Sequence, residues 1–161
     1  MALEIERKFL VEGEHPAPGG EPRSIAQGYL TAPTDGTEVR LRRIGGKHVL
    51  GLKRGSGLVR TELETEIGEE NFAVLWPATE GARVVKDRYT LALGEHTAYL
   101  DLYTEALAGL RTVEVEFASE AQARDFRPPA WFGREVTDDK AFKNQSLAVH
   151  GLPADEMRNA Q

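Results

Sequence analysis

The chain has 161 residues, a formal net charge of −6 and no cysteine, so it fits one domain of ordinary size and excludes disulfides, thiolate metal sites and a cysteine nucleophile. The negative charge argues against a protein that binds nucleic acid over its whole surface. No apolar stretch approaches the roughly 20 residues that cross a bilayer, and a secretory signal pattern is missing. We therefore expect a cytoplasmic protein with neither nucleic acid nor membrane as a partner.

Apolar and polar residues alternate with a period of two through most of the chain, which predicts strands as the main element. About eight strands are expected, at residues 2–12, 24–31, 37–44, 47–54, 60–67, 83–92, 97–104 and 111–117. The glycine-containing turns at 35–36, 45–46 and 94–95 favour antiparallel neighbours. Helices are expected at 69–79, 119–126 and 144–149. We expect a single domain over residues 1–153 and a polar tail at 154–161.

Charged residues alternate at the start of the first strand. Glu4, Glu6 and Lys8 project from one face of a strand, with the two glutamates roughly 6.6–6.8 Å apart along the chain. Like charges at that spacing repel, whereas a divalent cation that binds both carboxylates makes the pair favourable. The N-terminal strand is therefore the first candidate for a functional site.

The same alternation between the two faces of a strand separates charged from apolar residues in the predicted strands. The charged face contains Glu4, Glu6, Lys8, Glu38, Arg40, Arg42, Lys53, Arg60, Glu62, Glu64, Glu66, Lys86, Arg88, Asp101, Glu114 and Glu116. The opposite face contains Ile5, Leu41, Leu50, Leu52, Leu63, Ile67, Leu100, Leu102, Val113, Val115 and Phe117. One interpretation is an amphipathic sheet whose charged face lies in water.

Two features favour a different interpretation. Glu-x-Glu occurs in the first, fifth and eighth predicted strands, Arg-x-Arg in the third and Lys-x-Arg in the sixth, whereas a face selected only for solubility tends to mix signs. About eight strands can also close into a barrel, which removes exposed edges. The charged face would then line a tunnel, with the apolar face turned outward against helices. Such a tunnel suits a polyanion bound together with Mg²⁺ or Mn²⁺, because glutamates hold hard cations and Arg or Lys neutralise phosphate oxygens.

Short motifs follow one another in order on these strands. They are Glu4-Ile5-Glu6-Arg7-Lys8, Gln27-Gly28-Tyr29-Leu30, Val39-Arg40-Leu41-Arg42, Leu52-Lys53, Arg60-Thr61-Glu62-Leu63-Glu64, Lys86-Asp87-Arg88-Tyr89, Leu100-Asp101, Val113-Glu114-Val115-Glu116 and Glu135-Val136-Thr137, followed by Asn144 and Leu147-Ala148. In this order they resemble the CYTH superfamily, also called triphosphate tunnel metalloenzymes, over nearly the whole chain. The resemblance implies a mainly β (α+β) fold, a closed eight-stranded antiparallel β-barrel with a few flanking helices. It also implies hydrolysis of a triphosphate with Mg²⁺ or Mn²⁺, although some members make cyclic AMP or process RNA 5′ ends.

The resemblance also implies roles for individual residues. The metal ligands would be Glu4, Glu6, Glu114 and Glu116. Second-metal or water-orienting residues would be Glu62 and Glu64. The triphosphate clamps would be Lys8, Arg40, Arg42, Lys53, Lys86 and Arg88, with Arg60 as a further candidate. Any one clamp could instead form an inward salt bridge with a neighbouring glutamate. Lys8 and Tyr29 would be catalytic and hydrogen-bonded to each other, unless Tyr29 is a packing aromatic. Asp101 is interpreted as a structural partner of the basic residues, and no role is assigned to residues 138–143.

Among functions, an inorganic triphosphatase is favoured, because the chain is short and offers few aromatic or amide groups for recognising a base. A nucleoside- or thiamine-triphosphatase and a class IV type adenylate cyclase are alternatives, as is a non-catalytic polyphosphate-binding module. A homodimer is possible.

Overall fold

A computed structural model describes residues 2–55 and 57–154, so the predicted tail lies outside the described residues except for its first position. The described chain contains eight strands. They are β1 Ala2–Leu10, β2 Arg23–Tyr29, β3 Thr37–Ile44, β4 Lys47–Arg54, β5 Val59–Ile67, β6 Arg83–Leu93, β7 His96–Tyr103 and β8 Arg111–Glu116. They close into a barrel in the order β1-β5-β4-β3-β2-β6-β7-β8. Every neighbouring pair is antiparallel, which confirms the predicted fold class.

Two hairpins have the two-residue loops that the sequence predicted. β3 and β4 are joined at Gly45, with φ 57°, and β6 and β7 at Gly94, with φ 60°. Left-handed backbone of this kind is accessible to glycine without steric cost, and it matches the twist of paired strands. These turns fix the register that places the charged rows on one side of the sheet.

Three short α-helices and several 3₁₀ turns lie between or after the strands. The helices are α1 Glu69–Leu75, α2 Glu120–Asp125 and α3 Asn144–His150. The predicted helix 69–79 is α-helical only to Leu75 and continues as a 3₁₀ helix, Trp76–Thr79. Pro77 accounts for the change, since it has no N–H for the next α-helical hydrogen bond. Within the described ranges, none of the helices has the length and apolar character needed to span a membrane.

Two apolar clusters stabilise the barrel from different sides. Outward-facing Phe9, Val113 and Val115 pack with Ala123 of α2 and with Phe132. The second cluster occupies one end of the barrel interior, where the inward rows continue into apolar residues. It contains Leu10, Val84, Tyr103, Leu107, Leu110, Val136, Phe142 and Leu147, the last from α3. Side chains on the inward face are thus apolar at this end and charged along the rest.

The outer face is only partly covered. Leu63 is 45 % exposed and Leu3 is 68 % exposed, so the expectation that outward apolar residues pack against helices is wrong for this part of β1 and β5. The physical reason is position: α2 packs beside β1 next to Phe9, whereas α1 covers β4, where the rings of His48 and Phe72 lie 4.7 Å apart.

Candidate active site

The charged inward rows surround a cavity of about 320 Å³. Its walls include nearly all the residues that the sequence predicted for a site. They are Glu4, Glu6, Lys8, Tyr29, Arg40, Arg42, Lys53, Arg60, Glu62, Glu64, Arg88, Glu114 and Glu116. Lys86 does not line the cavity. The predicted enclosed, charged interior is therefore present, while the individual roles stay predictions.

Strand register places carboxylates face to face at the junction of β1 and β8. Glu6 lies directly opposite Glu116, and Lys8 lies opposite Glu114. Directly opposed residues have Cβ atoms about 4.5–5.5 Å apart, and like charges in that position are destabilising. The Glu6–Glu116 pair is thus a strained arrangement that a cation would relieve.

The surroundings change the pKa values of these carboxyl groups. Burial and the nearby charge of Glu114 raise the pKa of Glu6 well above its ordinary value. Burial, with the charges of Glu4 and Glu114, also raises the pKa of Glu116. In contrast, the charges of Lys8 and Arg88 outweigh burial and lower the pKa of Glu114 to about 2. Burial and neighbouring carboxylates thus raise the pKa of a carboxyl group, whereas a close Lys or Arg lowers it.

The carboxyl groups of Glu4 on β1 and Glu62 on β5 are hydrogen-bonded to each other. Burial and a hydrogen bond to Glu4 raise the pKa of Glu62 to about 8. Despite its burial, Glu4 has a lowered pKa because Glu62 hydrogen-bonds to it and Lys53 is close. At neutral pH Glu62 therefore carries the proton of this pair and Glu4 carries the charge.

The carboxylates fit a hard divalent cation by their chemistry. Among the described residues, no three acidic or histidine side chains lie close enough together to hold a metal ion. Two of the predicted ligands instead contact lysines, because Lys53 Nζ lies 3.1 Å from Glu4 Oε1 and Lys8 Nζ lies 3.7 Å from Glu114 Oε1. Oxygen-only donors suit Mg²⁺ or Mn²⁺. The residues fit such an ion once the side chains turn away from the lysines.

Several predicted clamps form inward salt bridges. Arg40 Nη2 lies 3.3 Å from Oε1 of both Glu62 and Glu64, and Arg60 Nη2 lies 3.0 Å from Glu38 Oε1. The sequence left such salt bridges open as the alternative to phosphate binding. In this structure the cations are held in place by carboxylates, and an anion would have to replace those partners.

Arg42 is arranged differently. Within the residues that the structure describes it makes no ion pair within 4 Å, and its Nε donates to the amide oxygen of Gln27 at 3.2 Å. Burial, with Arg40 and Arg88 nearby, lowers the pKa of Arg42 to about 10. A guanidinium crowded by like charges and without a carboxylate partner is a natural contact for a phosphate oxygen.

Lys8 contacts the segment 138–143, to which no role was assigned from the sequence. Its ammonium donates to the carbonyl oxygen of Phe142 at 2.7 Å, and its backbone N–H donates to Thr137 Oγ1 at 3.0 Å. The Tyr29 hydroxyl accepts from Gln27 Nε2 at 2.7 Å. Among the described residues these groups contact Phe142 and Gln27 and not each other, so the predicted Lys8–Tyr29 hydrogen bond is not formed.

Lys86, Arg88 and Asp101 form a buried ion cluster beside the cavity. Lys86 Nζ lies 2.8 Å from Asp101 Oδ2, and both side chains are fully buried. Arg88 donates to both oxygens of Asp101, at 2.7 and 2.8 Å. The interpretation of Asp101 as a structural partner is confirmed. Lys86 is fully buried and does not line the cavity, and its role as a triphosphate clamp stays a prediction.

Further residues line the cavity that sequence reasoning did not assign. They include Arg23, Tyr99, Thr137, Phe142, Lys143 and Asn144. Arg23 shares the parity of Gln27 and Tyr29, so it could have been found had the predicted strand begun one residue earlier. The residues from 137 onward reach the site from after β8, and no local pattern indicates that placement.

Comparisons with known proteins agree with this architecture. No protein-family model matches the chain. It is 49 % identical over 149 residues to an inorganic triphosphatase of Nitrosomonas europaea, covering 91 % of this chain and 97 % of that protein. It is 34 % identical over 150 residues to an inorganic triphosphatase of Acetivibrio thermocellus, covering 91 % and 94 %.

Solved structures show the same fold. The crystal structure of an inorganic triphosphatase matches with a TM-score of 0.71 and 45 % identity, covering 95 % of this chain and 99 % of the other. A putative adenylate cyclase from Bacillus halodurans matches with a TM-score of 0.57 at 18 % identity, covering 96 % and 95 %, and this likeness concerns the fold alone. The chain belongs to the family of the Nitrosomonas and Acetivibrio inorganic triphosphatases.

Proposed function

We propose that the protein is a triphosphate tunnel metalloenzyme that hydrolyses tripolyphosphate with Mg²⁺ or Mn²⁺. The observation that carries the proposal is one cavity whose wall has two unlike parts, an acidic part at Glu6 and Glu116 and a basic part at Arg42 and its neighbours. An acidic wall alone would suit a metal ion, and a basic wall alone would suit a phosphate. A polyphosphate that carries a bound metal ion requires both in one cavity. The names of the relatives support tripolyphosphate as the substrate.

The chain's own residues would bind and align the substrate. Arg42 can contact a phosphate oxygen directly, whereas Arg40 and Lys53 must first leave their carboxylates. Cations fixed around an enclosed site align the phosphates and offset the charge that develops as a phosphoryl group leaves. A divalent ion held by the glutamates would supply further stabilisation of that charge.

Glu62 and Glu64 are suited to handling the attacking water. Their Oε1 atoms both lie 3.3 Å from Arg40 Nη2, which fixes them beside a predicted phosphate contact. With a pKa of about 8, Glu62 holds its proton at neutral pH, whereas the hydrogen bond from Glu62 and the charge of Arg40 outweigh burial and lower the pKa of Glu64. Glu64 is therefore the ionised member of the pair and can act as a general base. We infer that Glu64 accepts the proton of the water and that Glu62 orients it.

The experiment compares phosphate release from tripolyphosphate, ATP and thiamine triphosphate, each with Mg²⁺ and with Mn²⁺, and includes an assay for cyclic AMP. We expect the highest kcat/KM with tripolyphosphate. Glu6→Gln and Glu116→Gln should abolish metal-dependent release while circular dichroism shows a folded barrel. Glu66→Gln is the matched control, because Glu66 lies on β5 with the same parity but is exposed and does not line the cavity.

Other outcomes would replace the proposal. A preference for ATP or thiamine triphosphate, or cyclic AMP formation, would identify one of the alternative activities. Tight tripolyphosphate binding without turnover under either metal would favour a binding module. Full activity in both glutamine variants would eliminate the assigned metal site.

A further inference from the structure

Gln27 is a fully buried amide that connects two residues of the cavity wall. It lies on β2, two positions before Tyr29, and pairs across the strands with Arg42 of β3, while Tyr29 pairs with Arg40. Its Nε2 donates to the Tyr29 hydroxyl at 2.7 Å, and its Oε1 accepts from Arg42 Nε at 3.2 Å. Tyr29 and Arg42 line the cavity, and Gln27 stands behind them.

The chemistry of the partners fixes which way this amide is turned. A guanidinium has only donors, so the amide oxygen must face Arg42 and the amide nitrogen must face Tyr29. The Tyr29 oxygen is therefore an acceptor toward Gln27, and its own hydrogen has to point elsewhere. The side chain is buried, and Tyr29 is one of the residues that line the cavity. Burial raises the pKa of Tyr29 to about 12, so the hydroxyl keeps that hydrogen at neutral pH.

We propose that Gln27 is a positioning residue that makes the Tyr29 hydroxyl a hydrogen-bond donor to a phosphate oxygen of the bound triphosphate and anchors Arg42 beside it. The inference rests on the proposed function, because it names how one part of that site is oriented. A purely structural role would be met as well by an apolar side chain, which fills the same space without the cost of burying an amide. The two hydrogen bonds indicate that orientation is what the amide provides.

Gln27→Glu separates the two roles of this amide. The glutamate keeps the shape of the side chain and still accepts from Arg42, but it has no N–H to donate. The Tyr29 hydroxyl would then donate to the new carboxylate and turn its hydrogen away from the cavity. Gln27→Glu should therefore reproduce Tyr29→Phe. Each variant should lower kcat/KM for tripolyphosphate by roughly 10- to 100-fold, the equivalent of one hydrogen bond to a charged group. The loss should be divided between kcat and KM in the same way in both variants.

The double variant carries the decisive comparison. If Gln27 acts through Tyr29, Gln27→Glu combined with Tyr29→Phe should lose no more than either single change. Gln27→Met should also raise KM, because Arg42 then loses its anchor. Gln145→Glu is the control: Gln145 is another buried glutamine whose Nε2 donates, at 2.7 Å to the Thr31 carbonyl, and it does not line the cavity. It should lower the melting temperature and leave kcat/KM unchanged.

Binding without metal gives a readout that does not depend on turnover. Calorimetry with tripolyphosphate in EDTA should show equal, non-additive losses of affinity in Gln27→Glu and Tyr29→Phe. If the wild type binds but never hydrolyses tripolyphosphate, the proposed function is wrong and this binding comparison still tests Gln27. Wild-type behaviour of Gln27→Glu beside an impaired Tyr29→Phe would overturn the inference, and so would losses that multiply in the double variant.

Discussion

Replacing Asp101 by asparagine should destabilise the barrel much more than replacing Lys86 by methionine. The fully buried Asp101 carboxylate accepts two hydrogen bonds from Arg88 and lies 2.8 Å from the Lys86 ammonium. Without it, Lys86 can release its proton, since burial lowers the pKa of this lysine to about 7. Arg88 cannot release its proton, and the nearest remaining carboxylate is Glu114 at 3.9 Å.

The magnitudes follow from this difference. Breaking a buried ion pair by removing one partner costs about 3–5 kcal/mol, and Asp101→Asn should lie in that range. Lys86→Met keeps both hydrogen bonds between Arg88 and Asp101, and the methionine side chain replaces the aliphatic part of the lysine at similar length. We therefore expect this variant to lose about 1 kcal/mol of unfolding free energy. For a chain of this length a loss of 3–5 kcal/mol lowers the melting temperature by about 6–20 °C.

Urea unfolding followed by circular dichroism measures both free energies of unfolding, and the same proteins are assayed for the KM of tripolyphosphate. We expect Lys86→Met to leave KM unchanged, whereas Lys53→Met, which alters the cavity wall, should raise it. Equal destabilisation by Asp101→Asn and Lys86→Met would refute the argument for Asp101 as the shared partner. A large KM increase in Lys86→Met would support the prediction that Lys86 is a phosphate clamp.

Three further predictions concern stability. The unfolded chain holds the Lys86 proton up to about pH 10.5, whereas the folded chain holds it only to about pH 7. This group should therefore make the free energy of unfolding rise between those pH values. Urea titrations of Lys86→Met at the same pH values should lack that rise. Gly28→Ala should cost about 1–3 kcal/mol, because the new Cβ would overlap the side chain of Thr79. Gly51→Ala is its control, because a Cβ at that position meets nothing nearer than 3.5 Å, and equal stabilities of the two variants would contradict the packing argument. Tripolyphosphate with Mg²⁺ should raise the wild-type melting temperature by mass action, and the rise should be smaller in Glu116→Gln, where the metal loses a predicted ligand.

Strand parity accounts for how much of the site the sequence could predict. Side chains alternate strictly between the two faces of a strand, so the motif residues of β1, β3 and β8 had to share one face once the strands were recognised. Closure of the sheet then made that face an interior. Alternation along the strands and closure of the sheet are enough to place Glu4, Arg40 and Glu116 at one cavity.

Parity does not encode depth along the barrel. On β6 the inward row runs from Val84 through Lys86 to Arg88, and only Arg88 reaches the cavity. Whether a side chain lies among apolar residues or faces open space depends on the tilt of the strands and on which segments cover the barrel end. The contact between Lys8 and Phe142 spans 134 positions of the chain and has no local signal.

Some cations of the cavity wall are paired with glutamates, and these ion pairs set how substrate and metal must bind. Lys53 is paired with Glu4, and Arg40 with Glu62 and Glu64, so phosphate can take these cations only as the glutamates lose them. A divalent ion on the carboxylates releases the same cations. Each ligand should therefore increase the affinity of the other by the same factor, as linkage requires.

Calorimetric titration of tripolyphosphate with and without Mg²⁺, corrected for Mg²⁺ binding to free tripolyphosphate, measures that factor. In Glu4→Gln, where Lys53 loses its carboxylate partner, metal-free affinity should rise and the factor should shrink. An equal factor in Glu4→Gln and in the wild type would show that the Lys53–Glu4 ion pair is not exchanged when the ligands bind.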